Sequence, residues 1–306
     1  MGLLFKLSIV ILVGLVGGKL ANLVKLPNVS GYIVAGLLIG PSFIDLLSKG
    51  EMQGLGIISE IALAAIAFSI GSEFLLSDIK KTGKEIMLIT VAEVIGALVV
   101  VFFVMFVIMG QPFEFSLIIA SMSAATAPAG ILMVVRELRA QGPLVRTILP
   151  VVAIDDALGI MVFGISMSIV RLTSGAETFS LFQIIWAPLY EIIGSLLLGG
   201  LLGAILSFFS HRMRNRDEML SLAWGFILLG TGAANFLKFS PLLTCMMMGG
   251  VMMNVLQNAN RVFNLIGDFT PPINLLFFTL AGAGLDLSIL SKVGILGISY
   301  IFARAA

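Results

Sequence analysis

Residues 149–163 read "LPVVAIDDALGIMVF", and they set two adjacent carboxylates, Asp155 and Asp156, inside an otherwise apolar run. The surrounding sequence decides what this pair can mean. The chain has 306 residues, 59% of them hydrophobic and only 11% charged, where an ordinary soluble domain carries about 25% charged residues. Mean hydropathy is +1.12. Outward from 149–163 in both directions the apolar residues gather in long blocks, each near the ~20 residues that cross ~30 Å of hydrocarbon. The stretch at 87–109, "MLITVAEVIGALVVVFFVMFVIM", shows none of the period-two alternation that a membrane barrel needs. The fold class is therefore all-α, a polytopic helical membrane protein. A formal net charge of +1 gives no reason to expect a nucleic-acid partner. The single Cys245 rules out an internal disulfide.

About eleven apolar segments are expected, near 3–24, 29–47, 55–75, 86–109, 115–134, 147–170, 181–209, 218–237, 240–257, 270–285 and 294–306. The connections are short, and the chain reads as one transmembrane domain over 1–306. The last segment, "VGILGISYIFARAA", stops without a cap or polar tail, as a C-terminally truncated chain would. Lys and Arg test the count. With the N-terminus outside, thirteen fall on one side, Arg304 among them, and five on the other (Lys6, Lys49, Arg171, Lys238 and Lys292). Positive charge favours the cytoplasm, so the chain is expected to be multi-pass in the cell membrane with its N-terminus outside.

A carboxylate at mid-bilayer costs about 2.5–3.5 kcal/mol on insertion scales, so Asp155 and Asp156 must face protein or a water-filled cavity. Neighbours on a helix diverge by about 100°. One acid can line an ion pathway while the other meets a partner behind it. A second signal lies at 120–135, "ASMSAATAPAGILMVV". Pro128 has no amide proton and clashes with the carbonyl of Ala124, so a helix should break there. Thr126 and small residues such as Ser123 leave room at the break. Unwound backbone is tolerated at membrane depth only where protein buries it or water fills a cavity, and half-helix ends are how many transporters build sites for ions. Oxygen ligands of this kind suit hard monovalent cations. Glu93, inside the fourth segment, is a possible accessory acid, whereas Glu60 and Glu73 read as interfacial. The methionine run "MMMGGVMM" reads as adaptable packing.

Several stretches together resemble the monovalent cation:proton antiporters of the second group, the bacterial sodium/proton antiporters and Kef-like membrane domains. They are "LPNVSGYIVAGLLIGPS" (26–42), "SEIALAAIAFSIGSEFLLSDIKKTGK" (59–84), "ATAPAGILMVVRELRAQGP" (125–143) followed by "VVAIDDALGIMVF" (151–163), "SPLLTCMMMGGVMMN" (240–254) and "LLFFTLAGAGLDL" (275–287). The resemblance covers essentially the whole chain, and the Thr-Ala-Pro plus Asp-Asp combination is its most specific part. It implies an inverted-repeat fold with two crossed broken helices, the second of them missing from this chain. Core-type helices would lie at about 86–170 and 240–306, and dimerisation-type helices at about 3–47 and 181–237. It implies further that Asp156 carries Na⁺ or H⁺ in turn, that Asp155 is its companion, that Thr126 sits at the break, and that Ser123 lies near the ion. Antiporters with the Asp-Asp pair set a late-helix lysine against the first aspartate, and that lysine would fall just past "YIFARAA".

The expected activity is exchange of a monovalent cation, Na⁺ before K⁺ or Li⁺, for H⁺ by competition at a buried aspartate. No cofactor is expected; membrane lipid and a second copy in a homodimer are the expected partners. The alternatives are a Kef-like K⁺/H⁺ antiporter, a sodium-coupled organic anion symporter of similar architecture, and a channel. An intramembrane aspartyl protease needs acids on different helices flanking one water, which adjacent residues on one helix do not supply, so an enzyme is not expected.

Overall fold

The computed structural model describes residues 2–72, 74–126, 128–173, 181–213 and 215–305. A few helical side chains, those of Pro128 and Asp156 among them, lie outside the described residues, as does Glu73. The fold is all-helical, with 84% of residues in helix and no strands among the described residues. In chain order the helices are α1 (Leu3–Leu23), α2 (Asn28–Ile39), α3 (Lys49–Gly54), α4 (Gly56–Gly71) and α5 (Leu76–Phe103), which runs into a π-helical turn (Val104–Ile108). Then come α6 (Phe113–Ser123), α7 (Pro128–Glu137), α8 (Pro143–Thr173), α9 (Leu181–Arg212), α10 (Arg216–Leu237), α11 (Pro241–Val255), α12 (Ala259–Phe269), α13 (Pro271–Ala283) and α14 (Leu287–Ala305).

Among the described residues, five helices are long and apolar enough to cross a membrane, and α12 with α13 forms a sixth candidate bent by 52°. The five shorter apolar helices fall on the remaining expected segments. The chain is a multi-pass membrane protein. Two elements escaped the hydropathy reading, each for a physical reason. Helix α3 is too short. Helix α12 is apolar on one face only: Val262, Phe263, Leu265 and Ile266 are buried, while Asp268 on its exposed side pairs with Arg216 at 2.8 Å. Helix α14 carries an interruption at Gly294, whose φ of 45° and ψ of −121° are open to glycine alone.

Lipid tails are as apolar as leucine, so helices in a bilayer associate through close packing, which small residues permit. Helix α11 lies along α9 and α4, and α2 lies between α1 and α13. A methyl on Gly36 would strike the Thr279 carbonyl, one on Gly249 the Phe68 carbonyl, and one on Gly199 the Thr244 carbonyl. Phe68 stacks on Phe263 with centroids 5.0 Å apart, and the buried Met248 and Met252 fill the same core. A second bundle joins α5, α6 and α8, with α14 lying along α5 and the π turn. Helix α14 lies with the second bundle, whereas α11 and α13 pack on α9, α4, α1 and α2 through close glycine contacts.

Candidate functional site

The site begins where α6 stops. Ser123 closes α6, and Ala124 keeps helical dihedrals with its N–H on the Ser121 carbonyl. Pro128 then opens α7. Proline suits a first helical position because the missing amide proton would have had no partner there anyway. The segment between is the interruption, and a helix end leaves its last carbonyls and first amides unpaired.

Helix α8 supplies the acid. Pro150 lies inside it and removes the N–H that the Arg146 carbonyl would otherwise receive. Five residues on, Asp155 is completely buried. Its Oδ2 accepts two hydrogen bonds from Thr126, one from the backbone N–H at 2.9 Å and one from the hydroxyl at 2.7 Å. Its Oδ1 is also buried and has no hydrogen-bond partner among the described residues. A buried polar atom without a partner is costly. Gly159, one turn after Asp155, lets α8 come this close: a methyl there would lie 2.9 Å from the Ala125 methyl.

A charged pair lies in the same bundle. Glu93 of α5 receives Arg304 of α14 at 3.5 Å, both side chains about 30% exposed (32% and 28%), and α5 packs on α8. Arg304 lies in the last turn of α14, which packs on α5.

Among the expected site residues, Thr126 and Asp155 come together. Glu93 lies in the same bundle, and Pro128 begins the second half-helix. Ser123 is buried, and its hydroxyl proton lies between the carbonyls of Ala120 at 2.6 Å and Ala97 of α5 at 3.4 Å. Asp156 follows in α8, and its side chain lies outside the described residues. Gly159, Pro150 and Arg304 were missed. A glycine four residues after an intramembrane acid, and an arginine within a late apolar segment, were the available signals.

The "Sodium/hydrogen exchanger, transmembrane" family model matches residues 7–305. The chain belongs to this family. Among curated proteins, the exchanger chain is 22% identical to the high-affinity Na⁺/H⁺ antiporter NhaS3 of Synechocystis sp., over 95% of this chain and 70% of that protein. Among solved structures, it is similar to the sodium proton antiporter MjNhaP1 from Methanocaldococcus jannaschii at pH 8, with TM-score 0.77 and 20% identity over 99% of this chain and 76% of that one. An electron-microscopy structure of the same antiporter gives TM-score 0.78 and 18% identity, covering 99% and 75%. At these identities the two structures establish a shared fold.

Proposed function

We propose that this exchanger swaps Na⁺ for H⁺ across the membrane by competition at the Asp155–Asp156 pair. One observation carries the reading: a fully buried carboxylate is anchored through one oxygen to a helix break and has no partner among the described residues at the other. An ionised carboxylate in such surroundings needs a counter-charge, whereas a protonated one does not. Na⁺ and H⁺ therefore exclude one another. The Na⁺/H⁺ relatives support the choice of ion pair. Asp156 is the acid that takes Na⁺ or H⁺ in turn, Asp155 is its companion with one oxygen held at the break and the other turned to the same task, and Thr126 supplies the anchoring donors. The transported Na⁺ is cargo, held by oxygen donors.

The bundle of α5, α6, α8 and α14 is the moving part in this scheme, and the helices around α9 and α11 are the scaffold. Alternating access then exposes the loaded site to one side at a time. The excess of Lys and Arg on one side supports an N-terminus outside the cell membrane, and the lipid-facing helices of the scaffold are the surface for a homodimer. The test is Na⁺-driven proton movement in proteoliposomes. Asp156→Asn should abolish it, and normal exchange by that variant would reject the assignment.

A further inference from the structure

Glu137 is out of place by local rules. It closes α7, and the C-terminal end of a helix carries partial negative charge that disfavours an acid. A sequence that breaks a local rule does so where something distant compensates. The compensation is the start of α2. Pro27 occupies the N-cap position there and makes no side-chain cap, so the first amide of α2 needs an acceptor from elsewhere. Both Glu137 oxygens accept from the Asn28 N–H, at 3.1 and 3.0 Å. A carboxylate from one helix thus caps another that lies 109 residues away in sequence.

The surroundings make this a built contact. Asn28 Oδ1 accepts from Asn22 Nδ2 at 2.9 Å, which fixes the Asn28 side chain. One turn back from Glu137, Met133 accepts from Asn274 Nδ2 of α13 at 3.3 Å. Helix α7 is therefore fastened to α2 and α13 at one end, while the break at its other end leads to Thr126 and Asp155.

We infer that Glu137 is a positioning residue for exchange, a latch that caps α2 in one state of the cycle and releases it in the other. The inference rests on the proposed motion of the Asp155 bundle against the scaffold. Helix α7 is the half-helix joined to the site, and the Glu137–Asn28 contact is a discrete tie between it and a scaffold helix. A latch made in one state only biases the populations of both. Apparent affinity scales with the populated fraction of the competent state, so the bias is readable from the two sides of the membrane.

The experiment uses proteoliposomes of uniform orientation and measures half-saturation by Na⁺ from each side. Glu137→Ala should shift the two values in opposite directions, by severalfold, with Glu137→Gln restoring them because its amide oxygen still accepts. Asn28→Pro is accepted at a first helical position and removes the backbone donor along with the Asn22 contact, and Asn28→Ala, which loses that contact and keeps the amide, is its control; Asn28→Pro alone should mimic Glu137→Ala and serves if that variant folds poorly. A ratio of the two affinities that stays at its wild-type value in both variants overturns the latch. A static brace gives that result, with less folded protein and unchanged sidedness. In a Cys245→Ser background, a disulfide joining Asn28→Cys to Glu137→Cys should arrest exchange until reductant is added, and exchange that persists while the bond is intact also overturns it. Wild-type protein that moves no protons in response to Na⁺ would sink the exchange reading itself, a different failure from either of these.

Discussion

Thr126 places both of its donors on one oxygen of Asp155, at 2.9 and 2.7 Å, and the other oxygen is buried without a partner among the described residues. The interrupted helix and the acid-bearing helix are thereby coupled through a single residue. Hydrogen bonds to a charged group contribute about 1.5–3 kcal/mol each. The anchor is therefore strong enough to set where the carboxylate stands.

Removing one donor tests the anchor. Thr126→Val keeps the backbone N–H bond and loses the hydroxyl, so exchange should fall by about tenfold, the rate equivalent of ~1.4 kcal/mol. Thr126→Ser keeps both donors and should stay close to wild type. Initial rates of Na⁺-driven proton movement provide the comparison.

Gly159 tests the approach of the two helices. A methyl at this position meets the Ala125 methyl at 2.9 Å, and overpacking of this kind costs about 1–3 kcal/mol. Gly159→Ala should lower thermal stability in detergent and slow exchange. Gly96→Ala on α5 meets nothing within 4 Å and should do neither.

The Glu93–Arg304 pair should behave as a unit. Breaking a partly buried ion pair from one side leaves a charge uncompensated, which costs more than removing both partners. Glu93→Gln and Arg304→Gln should each impair exchange more than the double variant does. A double-mutant cycle on rates and unfolding midpoints measures the coupling, and simple additivity would show that the pair is incidental.

Glu51 offers a contrast in pH dependence. The Lys6 ammonium at 2.7 Å, with the Ser48 amide and hydroxyl, holds its carboxyl down to about 2. A carboxyl lowered by folding lends stability above its unfolded range, near 4.3, and loses it as pH falls through about 2. This tie between α1 and α3 thus stays charged across any pH at which exchange is measured. Glu51→Gln should leave the pH profile of exchange unchanged between about pH 5 and 9, a window well above that carboxyl's range.

Much of the fold could be read in the sequence because bilayer thickness imposes a length on every apolar segment. The Pro128 break was readable from a single missing amide proton, and Asp155 from the cost of an acid at membrane depth. Helix α12 was not readable by hydropathy, since its polar face dilutes the signal that its buried Val262 and Phe263 would give. The packing of α11 and α13 depends on which glycine face meets which carbonyl, as at Gly36 and Gly249, and any apolar helix can carry such glycines. Arg304 entered only the count of positive charge, because a cation near a segment end says nothing of its role until its partner, Glu93, is known.

Competition at one site makes a demand that transport rates alone do not test: Na⁺ must expel protons from the protein itself. Purified protein in weakly buffered detergent near neutral pH should acidify the medium when NaCl is added and not when choline chloride is added. The release should vanish in the Asp155→Asn, Asp156→Asn double variant. Na⁺ binding without proton release, or release that survives in the double variant, would contradict exchange at these carboxylates.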